Sequence, residues 1–135
     1  MKAKTMKRLL CVLLSVALLA SGMSVAATDI PTPYYSGTDR ITAGLSISSS
    51  GLASCSGSIG LSYSSYSATL TMKLQQYTSD GWTTIGSWST QTTRLSKSQY
   101  VLHGYYYRVV CSANVYDGSG NYVESPSVKS SNEYY

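Results

Sequence analysis

The 135-residue sequence has no phenylalanine, one histidine and three cysteines, and only 12% of its residues are charged. Each scarcity removes a class of chemistry. With a single histidine, His103, and no two cysteines spaced by two residues, a zinc site has no ligand set. No cofactor-binding motif is present either. The acids are Asp29, Asp39, Asp80, Asp117, Glu124 and Glu133, scattered through turns and chain ends. A glycosidase needs two carboxyls held about 5–10 Å apart across a cleft, and this distribution does not predict one. Serine is abundant, but no Gly-x-Ser-x-Gly elbow exists. His103 stands just before Gly104, at a corner, and reads as a loop histidine rather than the oriented base of a triad. Asp117-Gly118-Ser119-Gly120-Asn121 spaces oxygen side chains as a calcium loop does, yet lacks the later bidentate glutamate. It reads as a glycine-rich hairpin turn. The expectation is a protein that is not an enzyme.

Long apolar runs are also scarce; the one present is Leu9 to Ala20. It follows a basic stretch with Lys2, Lys4, Lys7 and Arg8, and precedes small residues ending in Val25-Ala26-Ala27. That order is the three-part pattern of a secretory signal peptide, with cleavage expected after Ala27 and Ala26 as the alternative. Twelve residues of helix cover about 18 Å, too short for the roughly 30 Å hydrocarbon core. Cys11 lies inside this run and reads as signal filler. The remaining 108 residues carry six basic and six acidic groups. A neutral chain lacks the surplus Lys and Arg that nucleic acid or an anionic membrane surface would require. No later segment would span or anchor to a membrane, so a secreted, extracellular protein is expected. Its length fits one domain. The expected divisions are 1–27 signal peptide, 28–40 extended leader, 41–129 domain and 130–135 tail.

Cys55 and Cys111 remain after signal removal. An even pair in an exported chain predicts a disulfide, with two buried thiols as the alternative. Closing such a loop contributes about 4 kcal/mol on the chain-entropy account. Leu, Ile and Val number 18 in residues 28–135, a proportion that would warn of disorder. Thirteen tyrosines and two tryptophans supply the missing apolar area, and zero net charge also argues for an ordered chain.

From Ile41 onward the apolar period is two. Ile41, Ala43, Leu45 and Ile47 alternate with polar or small residues, as do Ala53, Cys55, Gly57, Ile59 and Leu61. Ala68, Leu70, Met72 and Leu74 do the same. Thr78-Ser79-Asp80-Gly81 is a hairpin signal leading into a strand from Trp82 to Thr90. A short strand is expected within Gln91 to Leu102. Tyr105, Tyr107, Val109, Cys111, Ala113 and Val115 form the longest alternating face, and Tyr122 to Lys129, with Pro126, suits an edge strand. About seven antiparallel strands, turn signals every 8–12 residues and no helix imply an all-β, two-sheet sandwich.

Cys55 on the second strand and Cys111 on the sixth occupy the places of the inter-sheet bridge in immunoglobulin-like folds. Tyr107-Arg108-Val109-Val110-Cys111-Ser112-Ala113 resembles the sixth strand of fibronectin type III-like domains, which implies a tyrosine corner at Tyr107. Antibody domains place a Trp about a dozen residues after the first Cys; here Trp82 and Trp88 come one strand later. More broadly, Ile47 to Gly57, Met72-Lys73-Leu74-Gln75, Gly81 to Trp88 and Gly104 to Val109 resemble a family of small exported proteins of Gram-positive bacteria, a domain of unknown function. The resemblance implies no activity and no functional residues.

Aromatic residues carry the remaining signal. Trp82 and Trp88 are six apart, so an unbroken strand would put them on one face. If Cys111 points inward, Tyr105, Tyr107, Val109, Ala113 and Val115 follow it. Tyr106, Arg108, Ser112, Asn114 and Tyr116 then face outward, with Val110 a lone apolar exception. Tyr beside Arg and Asn is the composition of binding surfaces. The candidate surface is therefore Tyr106, Arg108, Tyr116, Trp82 and Trp88. The expected function is a non-catalytic extracellular binding module for an unknown protein or glycan. The alternatives are a carbohydrate-binding module using exposed Trp and Tyr, and a small secreted antagonistic protein.

Overall fold

The computed structural model describes residues 34–135; the expected signal peptide, 1–27, and the start of the expected leader lie outside the described residues. The described chain is all-β. Its strands are β1 (Thr38–Ile47), β2 (Leu52–Leu61), β3 (Ser67–Thr78), β4 (Gly81–Thr90), β5 (Arg94–Tyr100), β6 (Tyr106–Tyr116), β7 (Tyr122–Glu124), β8 (Ser127–Lys129) and β9 (Glu133–Tyr134). One sheet has the order β1-β2-β5. The other runs β4-β3-β6-β7, with β8 and β9 also paired to β6. All pairs are antiparallel.

Local chemistry sets the turns. Gly51 and Gly81 adopt φ of +84° and +90°, which side chains with a Cβ resist; Gly81 closes the expected hairpin, and Gly51 closes the turn from β1 into β2. Between β6 and β7, Asp117 Oδ1 accepts hydrogen bonds from the Ser119 and Asn121 amides, both at 2.9 Å. The Asn121 amide leads these bonds in holding the Asp117 carboxyl below its ordinary pKa. This carboxylate serves its own turn.

Period-two alternation builds the core. Ala53, Cys55 and Ile59 of β2 meet Ala68, Leu70, Met72 and Leu74 of β3 and Tyr107, Val109, Cys111, Ala113 and Val115 of β6, all buried. The two sheets thus share their inner faces, an arrangement consistent with a sandwich. Burial of each large aliphatic side chain here stabilises by roughly 1.5–3 kcal/mol.

Several expectations need correction. Cys55 and Cys111 both lie in one core cluster, but as free thiols; no bond joins them. The Cys111 sulfur settles over Gly57, two residues along β2 from Cys55, where a Cβ would collide with it. It lies 3.9 Å from the Ser56 carbonyl oxygen. Burial pushes both thiols up to about 11, with Cys55 adding to the effect on Cys111. Tyr105 does not point inward: β6 starts one residue later, and Tyr105 is 37% exposed.

The chain ends of the domain are also more ordered than their composition implies. β1 begins at Thr38, inside the expected leader. The Glu124 carboxylate accepts from the Ser36 amide at 3.2 Å, from the Gly37 amide and from Thr38 Oγ1 at 3.4 Å. The last expected strand is interrupted at Pro126, which is buried, lacks an N–H and offers its carbonyl to the Ala113 amide at 3.0 Å. The segment 130–135, expected as a tail, contains β9. Tyr135 exchanges backbone hydrogen bonds with Tyr105, and its ring packs on the core cluster and against Gly51.

Candidate interaction surface

The outer face of the six-stranded sheet is organised in rows that cross strands. β6 supplies its phase. Tyr107 is fully buried, and its Oη donates a 2.6 Å hydrogen bond to the Leu102 carbonyl five residues upstream. Gln76 Nε2 donates to Tyr107 Oη at 3.3 Å. With Tyr107 fixed inward, Tyr106 and Arg108 must face out.

β4 needs a break to reach the same face. Leu74 pairs with Gly86 and Gln75 with Thr84, so Ile85 is an extra residue bulged out of register. The bulge inverts the phase of β4. Trp88 opposes Met72 and packs against the core, whereas Trp82 opposes Tyr77 on the outer face. Gln99 Nε2 donates to the Ile85 carbonyl at 3.2 Å and satisfies the bulge. Trp82 and Trp88 therefore do not share a face, and Trp88 leaves the candidate surface.

The result is an aromatic row. Trp82 and Tyr77 are cross-strand partners with ring centroids 5.1 Å apart. Tyr106 and Tyr134 are cross-strand partners with centroids 5.0 Å apart. Tyr77 follows the Gln76–Tyr107 pair, so Tyr77 and Tyr106 stand at the same level of the sheet. The row spans β4, β3, β6 and β9. Tyr77, Tyr106 and Tyr134 are exposed, and Trp82 is half-buried.

Arg108 occupies the next level. Its guanidinium carbon stands 4.1 Å from the Trp82 ring centroid, a cation–π contact worth roughly 0.5–2 kcal/mol. Its Nε donates to Gln75 Oε1 at 2.9 Å. Beyond it, Lys73 opposes Val110, which opposes Lys129. The level after that is hydroxyl-rich: Thr71, Ser89, Ser112 and Ser127, with Thr71 Oγ1 and Ser89 Oγ 2.8 Å apart.

Tyr116 lies at the opposite end of β6, edge-on to Tyr122 at 6.2 Å, and does not join the cluster. His103 sits off the sheet at the corner, edge-on to Tyr135 at 5.1 Å. Sequence reasoning missed Tyr77, Gln75 and Tyr134. Tyr77 and Gln75 were readable from the alternation of β3, since both are out of phase with Leu74. A cleft of about 720 Å³ lies over the three-stranded sheet instead, lined by Arg40, Thr42, Ser56, Ser58, Arg94 and Ser96 among others. Among the described residues no group of three His, Cys, Asp or Glu side chains is placed to hold a metal. No protein-family model matches this chain, and no curated protein matches it.

Proposed function

We propose that this chain is an exported, immunoglobulin-like, non-catalytic binding module whose partner is a protein engaged by the outer face of the six-stranded sheet. The sheet orders and the Tyr107–Leu102 hydrogen bond support the immunoglobulin-like part of this reading. The observation that carries the binding part is Arg108, stacked on Trp82 and tethered by Gln75 beside three exposed tyrosines. Trp, Tyr and Arg are enriched among the residues that dominate the energetics of protein interfaces, and Trp and Tyr bury large area at low entropic cost. Small ligands prefer concave sites, and this face is a sheet surface.

The geometry favours a protein over a stacked sugar. The rings of Trp82 and Tyr77 are tilted by 54° and those of Tyr106 and Tyr134 by 58°, so the row is no flat platform. Arg108 also covers one face of Trp82. Photo-crosslinking tests the reading. A photoreactive residue at exposed Thr84 should give a discrete protein adduct on producing or neighbouring cells, and one at exposed Ser54, on the opposite sheet, should not. No adduct from Thr84, or equal adducts from both positions, would overturn it.

A further inference from the structure

Residues 34–135 are close to neutral, yet their charges are segregated. The described residues hold six Lys and Arg side chains and five Asp and Glu side chains. Three of the cations, Lys73, Arg108 and Lys129, occupy outward positions of the six-stranded sheet. No acid does. Asp80 and Asp117 lie in turns, and Asp39 belongs to the other sheet. Glu124 opposes Val115 and Glu133 opposes Tyr107, both on the inward phase.

Arg108 is also prepared to receive a planar anion. Its guanidinium is fixed from one side by Trp82 and from Nε by Gln75. Its two Nη groups make no hydrogen bond among the described residues. A guanidinium held this way presents a fork of N–H donors that matches a carboxylate with two parallel bonds. The cost of ordering a long side chain has already been met in the free protein.

We propose, resting on the reading of this face as a protein-binding surface, that the partner is an acidic protein segment. One Asp or Glu carboxylate docks on the Arg108 Nη edge, an aromatic or aliphatic neighbour lies on the Tyr77–Trp82–Tyr106–Tyr134 row, and further acids approach Lys73 and Lys129. The uniform sign of this face steers such a segment and disfavours basic ones.

The test uses amide NMR shifts of the intact protein titrated with a synthetic Glu–Tyr copolymer, a Lys–Tyr copolymer and polygalacturonate. The Glu–Tyr copolymer should shift Lys73, Gln75, Arg108 and Lys129, and binding should weaken as salt rises. Arg108→Lys keeps the charge but loses the fork, and should weaken binding by about tenfold, a difference of about 1.4 kcal/mol. Lys73→Gln with Lys129→Gln should weaken it and flatten the salt dependence, while the melting temperature stays near that of the parent. Equal binding of the Lys–Tyr copolymer, or no shifts on this face, would overturn the proposal. Shifts from polygalacturonate alone would overturn it in favour of an acidic polysaccharide. If the Thr84 adduct forms while the Glu–Tyr copolymer does not bind, the face is a protein-binding surface and only the acidic partner is wrong.

Discussion

Trp82 and Trp88 stand six residues apart in one strand and face opposite sides of the sheet, because the bulge at Ile85 inserts one unpaired residue between them. One ring supports Arg108 at the surface; the other closes the core beside Met72. The two substitutions should therefore separate. Trp88→Ala should lose roughly 2–4 kcal/mol, since it removes core contacts and leaves a cavity. Trp82→Ala should lose about 1 kcal/mol or less, as surface changes usually do. Urea unfolding of both variants checks this, and equal losses would place both rings in one environment.

Tyr107→Phe isolates the hydroxyl. The ring still fills its buried site, but the Leu102 carbonyl loses its donor and Gln76 its acceptor. The expected cost is about 1–2 kcal/mol, against roughly 3–5 kcal/mol for Tyr107→Ala. A neutral Tyr107→Phe would show that the corner contributes shape alone.

Alkaline pH should destabilise the domain. Cys55 and Cys111 titrate near 11 when folded because burial disfavours the thiolate, and burial likewise leads in raising Tyr107. Unfolded cysteine titrates near 8.5. Groups raised in the folded state contribute stability that is complete below their unfolded pKa and is lost as pH climbs through the folded value. Stability should thus fall from about pH 8.5 towards 11. Both cysteines should take up an alkylating label without reductant, and only once the protein unfolds. A chain that takes up none without reductant would carry the disulfide that this structure lacks.

Tyr135→Ala should cost roughly 1–3 kcal/mol, well above a surface change, because the ring packs on the core cluster and against Gly51. Its hydroxyl also reaches the Ser49 carbonyl at 3.4 Å, which ties the end of the sheet to the β1–β2 turn. Thermal melts decide between this and a loose tail.

Much of the fold was legible in the residues. The phases of β2, β3 and β6 follow from the alternation around Cys55, Leu70 and Cys111, since one buried face repeats every second residue. The outward setting of Tyr106 and Arg108 comes from that same phase, whereas the corner at Tyr107 was implied by the resemblance of its strand to fibronectin type III-like domains. The bulge at Ile85 was not legible: Trp82 to Trp88 keeps an even spacing, and pairing with β3, not composition, decides where a residue is skipped. Tyr105 was misread because Gly104, at φ +99°, delays the strand by one residue. Polar Ser130 to Asn132 disguised the docking of Tyr134 and Tyr135. The cationic face was hidden in the zero net charge of residues 28–135, because a sum carries no positions.

One side of β3, β4 and β6 holds the fold together, and the other is the proposed partner-binding surface. The direct measurement is a chain carrying Trp82→Ala and Tyr106→Ala together with the crosslinker at Thr84. It should unfold within about 2 kcal/mol of the parent, as two surface changes would, and its protein adduct should disappear. An undiminished adduct, or a loss of stability matching that of Tyr107→Ala, would contradict the account.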